Sequence, residues 1–247
     1  MKRSVSIGSK KIGDGEPTFV IAEVGINHNG DMKLAEQLLH EAKGAGADAV
    51  KLQTYITEKR VKRDAPIFDI LKKCELSFEQ ERRLFDLGRD LGLLVFSTPF
   101  DDESVAFLEE VQAPCIKIAS FDVVNEKLLA RVAATGRPII MSRGMSDRQE
   151  LDRAVAILEE RGAPHVLLHC VSAYPVNFLS DLNLSTIDAM KQIYRCPIGF
   201  SDHSIGPKAV TVAVAAGAQV VEKHFTLSSS MEGPDHALSA DPETMKA

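Results

Sequence analysis

Short apolar runs alternate with amphipathic helical patterns along the whole chain. The runs are rich in Val, Ile, Leu and Phe. They predict eight strands, at residues 19–24, 49–55, 93–99, 115–120, 138–142, 166–173, 197–202 and 220–226. Between the strands, apolar residues recur at helical spacing, as in Leu34, Leu38, Leu39 and Ala42. Because the strands are apolar almost throughout, we predict a parallel sheet that is covered on both faces.

The number of strand–helix units selects the architecture. Eight units in 247 residues match the (β/α)8 TIM barrel, whereas a doubly wound sheet more often has about five or six strands. An extra segment around residues 65–74 follows the second strand. Residues 4–17 alternate Val5 and Ile7 with polar residues and predict a hairpin, turning at 13–15, that closes the barrel floor. We therefore predict one α/β domain over residues 1–247, with the hairpin in residues 1–17.

The end of the chain predicts a truncated eighth helix. Residues 228–238 follow the last strand as a loop, and Asp241-Pro242-Glu243 has the pattern of an N-cap followed by proline in the first helical position. The sequence ends at Ala247. Strands one and eight are therefore expected to be poorly covered on the outside, which predicts marginal stability or cover from another chain.

Charge and composition exclude several partners. The chain has 29 Lys and Arg against 35 Asp and Glu, a net charge of −6, so neither nucleic acid nor an anionic membrane surface is an expected partner. The longest apolar stretch, 209–221, is shorter than the roughly 18 to 20 residues that span a bilayer. The first twenty residues lack the apolar core of a signal peptide. Four cysteines without a C-x-x-C pair favour buried thiols in a reducing cytoplasm, where we expect the protein.

Polar residues stand at or just after the carboxyl end of nearly every predicted strand. In a barrel these ends meet at one mouth, where the chemistry of such folds is located. The residues are Glu23, Lys51, Gln53, Thr98, Lys117, Ser120, Asp122, Ser142, Ser172, Tyr174, Ser201, His203, Glu222 and His224. Their convergence predicts an active site at this mouth.

The residue types in this set indicate an anion site and a metal site. Lys51 and Lys117, with neighbouring hydroxyl groups, suit a small dianion such as a phosphate. Either lysine is alternatively a Schiff-base nucleophile of the class I aldolase type. His203 and His224 end adjacent strands close to Asp235 and are predicted to bind a divalent metal.

A series of motifs resembles the sialic acid synthase family. They lie in order from near the start of the chain to its end: IAEVGINHNG at 21–30, VKLQ at 50–53, STPF at 97–100, KIAS at 117–120, SDHS at 201–204, EKHF at 222–225 and GPDH at 233–236. The resemblance implies a synthase that condenses phosphoenolpyruvate with an open-chain N-acyl hexosamine, such as N-acetylmannosamine or a diacetamido-hexose. A nonulosonic acid and phosphate would be formed with Mn²⁺, or with Mg²⁺ or Co²⁺.

The resemblance also implies roles for individual residues. The phosphoenolpyruvate site would comprise Lys51, Thr98, Lys117, Ser120, Ser142 and Ser201. The acceptor sugar would be held by Gln53, Asp122, Ser172, Tyr174 and Asp235, and the metal by His203 and His224. Glu23, Asp235 and His224 would be catalytic. A sugar-binding or phosphate-binding relative without catalytic activity is the remaining alternative.

Three departures from the family pattern leave the acceptor sugar open. Phe121-Asp122 stands where sialic-acid-forming members have Gly-Glu, Ser172 where many have Asn, and Arg143 where a small residue is common. The acceptor could thus be the hexosamine precursor of a sialic, a legionaminic or a pseudaminic acid. Family members continue into an antifreeze-like domain that, in a swapped homodimer, supplies an arginine to the partner's sugar site. We expect residues 1–247 to contain the catalytic barrel without that domain, and we expect a homodimer for the full-length form.

Overall fold

A hairpin and a closed eight-stranded barrel make up the β-structure of the computed structural model, which describes residues 3–247. The hairpin pairs β1 (Ser4–Ile7) with β2 (Lys10–Gly13). The barrel strands are β3 (Phe19–Gly25), β4 (Ala49–Thr54), β5 (Leu94–Pro99), β6 (Ile116–Ile118), β7 (Ile139–Ser142), β8 (His165–His169), β9 (Ile198–Asp202) and β10 (Val220–His224). All are parallel, and β10 pairs with β3 to close the ring. The predicted TIM barrel is confirmed.

Helices cover the outside of the barrel. They are α1 (Met32–Gly44), α2 (Thr57–Arg60), α3 (Phe68–Cys74), α4 (Phe78–Asp90), α5 (Asp102–Glu110), α6 (Glu126–Ala133), α7 (Arg148–Glu160), α8 (Ser185–Ile193), α9 (Lys208–Ala215) and α10 (Pro242–Lys246). In α1 the predicted apolar face is buried, and the Asp31 side chain caps the first turn by accepting from Lys33 N and Leu34 N. Helix α3 lies in the extra segment predicted at residues 65–74 after the second strand, and the short helix α2 precedes that segment.

The hairpin closes the amino-terminal end of the barrel, as predicted. Ile7 and Ile12 are fully buried and pack with barrel-interior residues that include Phe19 and Phe96. The predicted turn at residues 13–15 was wrong. Ile7 pairs with Lys10, so the turn lies at residues 8 and 9, where Gly8 has the positive φ that a two-residue turn requires.

Strand register determines which residues of β9 and β10 enter the barrel. Ser201 lies opposite Glu222, and Asp202 lies opposite Lys223. Because alternate residues face opposite sides of a strand, Ser201 and Glu222 point inward whereas Asp202 and Lys223 point outward. Lys223 Nζ is 2.6 Å from Asp202 Oδ2, and both side chains are buried. This ion pair joins the ends of the two strands that position the predicted metal ligands.

The structure also bears on three smaller expectations. The Asp241 side chain accepts a hydrogen bond from Thr244 N at 2.8 Å, so α10 begins at the predicted N-cap. All four cysteines are buried and free. Within residues 3–247, the helices are all too short or too polar to cross a membrane.

A carboxyl group that takes no part in the predicted site is buried between α4 and the barrel. Glu81 accepts a hydrogen bond from Thr54 Oγ1 at 2.6 Å, and Thr54 Oγ1 is also 2.7 Å from Ser97 Oγ. Burial raises the pKa of Glu81 to about 8, with Thr54 opposing the shift and Asp101 adding to it. The fold therefore favours the neutral acid.

We expect Glu81→Gln to weaken the pH dependence of stability. Since the folded-state pKa lies above the unfolded one, the stabilising effect of protonation is complete below about pH 4.5 and is lost as the pH rises through about 8. The wild type should lose about 1–3 kcal/mol of unfolding free energy over this range that the glutamine variant keeps. Denaturant unfolding at pH 5 and pH 8.5 measures this. Glu79→Gln, on the exposed side of α4, is the control, and equal pH dependence in all three proteins would contradict the assignment.

Candidate active site

A cavity of about 350 Å³ opens at the carboxyl ends of the barrel strands. It is lined by every predicted site residue except Asp122, namely Glu23, Lys51, Gln53, Thr98, Lys117, Ser120, Ser142, Ser172, Tyr174, Ser201, His203, His224 and Asp235. The strands carry most of these side chains, and Asp235 comes from the loop after β10. The structure thus places these residues around one cavity at the mouth of the barrel.

Asp122 lies outside the cavity lining. It belongs to the 3-10 turn Ser120–Val124, where it is buried and contacts Asn125 Nδ2 at 3.3 Å. Successive side chains of this turn point in different directions, so Ser120 and Phe121 reach the cavity and Asp122 does not. Phe121 stacks on Phe100 with ring centroids 5.8 Å apart. The aromatic residue, not the carboxylate beside it, forms this part of the wall.

Two lysines and two glutamates form a buried charge cluster at the cavity floor. Lys51 Nζ lies 2.8 Å from Glu23 Oε2 and 3.9 Å from Glu222 Oε2, and it donates to Thr98 Oγ1 at 3.2 Å. Lys117 Nζ lies 3.6 Å from Glu222 Oε1. All four charged side chains are less than 10% exposed. Glu222 thus lies between the two lysines and links them.

Serine hydroxyls surround this cluster. Ser201 donates to Glu222 Oε1 at 2.9 Å, and Ser120 accepts a hydrogen bond from Gly144 N at 3.0 Å. A side chain at position 144 would collide with Cys170 and Ser172, so glycine allows this close backbone approach. Ser142 Oγ is buried without a hydrogen-bond partner among the described residues. Since a buried hydroxyl seldom lacks a partner, Ser142 indicates a place for a polar ligand.

The charge cluster shifts the pKa of each member. Burial raises the pKa of Glu23 to about 7, with Lys51 opposing the shift and Glu222 adding to it. Burial lowers the pKa of Lys51, but attraction to Glu222 and Glu23 outweighs this and the pKa is raised. Burial lowers the pKa of Lys117, and Glu222 only partly offsets it. Burial raises the pKa of Glu222, but the two lysines outweigh it and hold the pKa below its ordinary value. Glu23 can therefore gain or lose a proton near neutral pH.

Two imidazoles lie on one side of the cavity. His203 donates from Nδ1 to Val171 O at 2.7 Å, which leaves Nε2 with a free lone pair. His224 has a buried Nδ1 with no hydrogen-bond partner in residues 3–247, and this atom is 3.9 Å from Asp235 Oδ2. The ring centroids of His203 and His224 are 5.7 Å apart. Burial lowers the pKa of both rings, which favours the neutral form that metals bind.

The donor set fits a divalent metal in part. Divalent metals commonly bind neutral imidazoles. His203 is oriented by its hydrogen bond to a backbone carbonyl, and His224 has a ring nitrogen without a hydrogen-bond partner among the described residues, so both could act as ligands. Within residues 3–247, however, no group of three or more His, Cys, Asp and Glu side chains is arranged to hold a metal. Protein ligands alone therefore supply only part of a coordination sphere, and the rest would come from substrate or water.

Two charged cavity residues, Glu222 and Arg60, were given no role from the sequence. Glu222 alternates with His224 on β10, so its inward direction was predictable although its place between the lysines was not. Arg60 lies at the end of α2 and donates to Gln53 Oε1 at 3.0 Å. Its guanidinium carbon is 3.7 Å from the ring centroid of Phe100. No motif or periodicity marks this arginine in the sequence.

Comparisons with known proteins agree with the geometry. The sequence profile of the NeuB family matches residues 38–247. The chain is 39% identical to N,N'-diacetyllegionaminic acid synthase of Legionella pneumophila over 97% of its own length and 72% of the relative. It is 36% identical to pseudaminic acid synthase of Helicobacter pylori, over 92% and 71% of the two chains.

A solved structure shows the same architecture. The N-acetylneuraminic acid (sialic acid) synthetase of Leptospira borgpetersenii superposes with a TM-score of 0.97 at 39% identity. The alignment covers 100% of this chain and 86% of that one. The relatives reported above are named as legionaminic, pseudaminic and sialic acid synthases. The sequence profile, these relatives and the fold together show that this chain belongs to the NeuB family.

Proposed function

We propose that the protein condenses phosphoenolpyruvate with an open-chain N-acyl hexosamine to form a nonulosonic acid and phosphate. The observation that carries the proposal is the cavity floor, where Lys51 and Lys117 converge beside the unpartnered hydroxyl of Ser142. Fixed ammonium groups and hydroxyl donors suit a phosphate ester that also bears a carboxylate. The relatives named as legionaminic and pseudaminic acid synthases support the same reaction class.

The floor would bind phosphoenolpyruvate and the upper cavity the sugar. The cavity is lined together by Lys51, Thr98, Lys117, Ser120, Ser142 and Ser201, so the anion would lie among these side chains. Binding requires the lysines to exchange part of their contact with Glu222 for the ligand. Gln53, Ser172, Tyr174 and Asp235 line the same cavity and would hold the acceptor. Its aldehyde would then reach the carbon–carbon double bond of phosphoenolpyruvate.

The residues of the floor supply the charge and proton chemistry of the reaction. C3 of phosphoenolpyruvate bonds to the aldehyde carbon, and the aldehyde oxygen takes up a proton. Water then adds at C2 and loses a proton, which gives a C2 hydroxyl. As the bond between C2 and the phosphate oxygen breaks and phosphate leaves, this hydroxyl loses its proton and becomes the C2 keto group. Glu23, with its pKa near neutrality, would donate the proton to the aldehyde oxygen. The lysines would stabilise the phosphate charge throughout.

His203 and His224 would hold a divalent metal, Mn²⁺ being the expected ion. When bound, such an ion polarises a carbonyl oxygen as a Lewis acid. In the protein, the hydrogen bond from His203 to Val171 O fixes the orientation of that ring. The Tyr174 ring, 4.2 Å from that of His203 between centroids, packs over the pair.

The reaction is tested by phosphate release. We expect inorganic phosphate only when phosphoenolpyruvate, an N-acyl hexosamine and Mn²⁺ are all present, together with a nonulosonic acid in the NMR spectrum of the products. Removal of the metal with EDTA should abolish turnover, and added Mn²⁺ should restore it. Phosphate release without a sugar, or unchanged turnover after chelation, would contradict the proposal.

One observation favours a second candidate, a Schiff-base pyruvate aldolase. The pKa of Lys117 is lowered by burial, a property that nucleophilic lysines need. Borohydride reduction in the presence of pyruvate would then trap an adduct on Lys117, detected by mass spectrometry. An unmodified protein mass eliminates this candidate and leaves the condensation.

A further inference from the structure

Arg60 presents unused hydrogen-bond donors to the upper cavity. The side chain is half-buried, and its only hydrogen bond to another described residue runs to Gln53 Oε1. A guanidinium carries five N–H donors, so most of them have no protein partner there. The Arg60 side chain lines the cavity. Within residues 3–247, no carboxylate lies at ion-pair distance from its guanidinium group. The N–H groups of Arg60 without a protein partner can therefore donate hydrogen bonds to a ligand.

The wall around Arg60 is apolar, unlike the floor. The guanidinium lies over Phe100 at 3.7 Å and over Tyr55 at 4.7 Å, measured to the ring centroids. Phe121 extends this surface by stacking on Phe100, and Ile67 also lines the cavity. Stacking fixes the plane of the guanidinium and directs its N–H groups along the wall. A ligand here meets planar donors next to a flat apolar surface.

The charge around Arg60 argues against a second phosphate. Burial lowers the pKa of Arg60, and this shift is opposed in part by Tyr55, Asp122 and Asp235. A dianion would meet a single cation, two nearby carboxyl groups and an apolar wall. An uncharged planar group with an oxygen acceptor and a small apolar end fits better, because the arginine binds the oxygen and the aromatic rings contact the rest.

Arg60 lies one side chain away from the reacting end of the cavity. Gln53 accepts from Arg60 and, through Nε2, donates to Glu23 Oε1 at 3.3 Å. Since Glu23 is placed at the aldehyde by the proposed function, the group next to Arg60 belongs to a more distant part of the acceptor. We propose that Arg60 determines acceptor specificity by donating to the carbonyl oxygen of an acylamino group at C4 of the sugar, with the acyl methyl against Phe100 and Phe121.

This inference rests on the proposed function and is tested with two matched acceptors. One is a 2,4-diacetamido-2,4,6-trideoxyhexose, and the other is the 2-acetamido-2,6-dideoxyhexose of the same configuration, which has a hydroxyl at C4. We expect the wild type to prefer the diacetamido sugar by about 10- to 100-fold in kcat/KM, the range of one well-placed polar contact. Arg60→Met should remove most of this preference through the sugar KM and leave the KM for phosphoenolpyruvate unchanged.

Two further variants separate recognition from folding. Arg60→Lys keeps a donor for Gln53 but loses the planar fork, so it should lose most of the preference for the diacetamido sugar while retaining more activity with the C4-hydroxyl sugar than Arg60→Met. Arg63→Met makes the same change as Arg60→Met at an exposed arginine of the same connection, and it should behave as wild type. Equal losses with both sugars in Arg60→Met, or a wild-type preference for a hexosamine 6-phosphate that this variant abolishes, would overturn the inference.

Direct binding keeps the inference testable if turnover fails. Calorimetric titration of the diacetamido sugar into protein saturated with phosphoenolpyruvate should show binding to the wild type that is at least 10-fold weaker in Arg60→Met. Such a difference without phosphate release supports the role of Arg60 and refutes the proposed reaction. Equal binding by the two proteins, or no binding by the wild type, overturns the role of Arg60.

Discussion

Lys117→Ala is expected to lower kcat/KM for phosphoenolpyruvate by about 10²- to 10³-fold, the usual effect of removing one charged contact to a reacting anion. The reason is local. Lys117 is one of two cations at the cavity floor, it is buried, and it lies 3.6 Å from Glu222. Without its ammonium group, the ligand phosphate would face Glu222 with only Lys51 to offset the repulsion. Steady-state kinetics with each substrate varied in turn should place the loss in the KM for phosphoenolpyruvate and leave the sugar KM within about threefold.

The design must separate lost binding from lost folding. Removing Lys117 leaves Lys51, at 3.9 Å, as the remaining cation beside the buried Glu222, and a buried charge that loses part of its compensation is destabilising. The double variant Lys117→Ala/Glu222→Gln removes the incompletely compensated charge. A loss of kcat/KM for phosphoenolpyruvate that persists in this double variant therefore reflects the lost contact between Lys117 and the ligand. Lys127→Ala, at an exposed lysine of α6, controls for the substitution itself. Equal increases in the KM for both substrates would show that Lys117 does not contact the phosphate.

The cavity floor was predictable from the sequence because strands constrain direction. Lys51 and Gln53, or Glu222 and His224, share a face through the two-residue period of a strand. Parallel strands of one barrel bring their carboxyl ends to one mouth. Eight apolar runs with polar ends were therefore enough to predict the fold and most of the residues that line the cavity. These include residues far apart in the sequence, such as Glu23 and His224.

Residues outside the strands were not predictable in the same way. Asp122 was assigned to the site although the 3-10 turn directs Phe121 inward instead, since no simple period governs a short turn. Arg60 was missed because α2 has four residues and lies in the irregular connection after β4, where only the packed structure shows its contact with Phe100. The hairpin turn was misplaced because the glycine-containing segment at 13–15 was interpreted as the turn, whereas the pairing of Ile7 with Lys10 puts the turn at Gly8.

Glu23→Gln should have the most informative effect on the pH dependence of the reaction. In the proposed reaction, Glu23 donates a proton to the aldehyde oxygen, so its protonated form is active. Because burial raises its pKa to about 7, kcat/KM of the wild type should be constant at lower pH and fall as the pH rises through about 7. Glutamine keeps the size of the side chain but cannot donate that proton, so kcat/KM should fall by about 10²- to 10⁴-fold and the descending limb should disappear.

The measurement is a pH–rate profile from pH 5.5 to 9 for both proteins, with phosphate release as the signal. Glu36→Gln, at an exposed glutamate of α1, should retain the wild-type profile. Lys51 loses its 2.8 Å contact in the Glu23 variant, and a binding assay for phosphoenolpyruvate shows whether that loss matters. Phosphoenolpyruvate binding that is maintained while turnover is lost assigns Glu23 to proton transfer. An ascending limb near pH 7 in the wild type, or a descending limb that persists in Glu23→Gln, would instead transfer that role to another group, with Asp235 as the next carboxyl of the cavity.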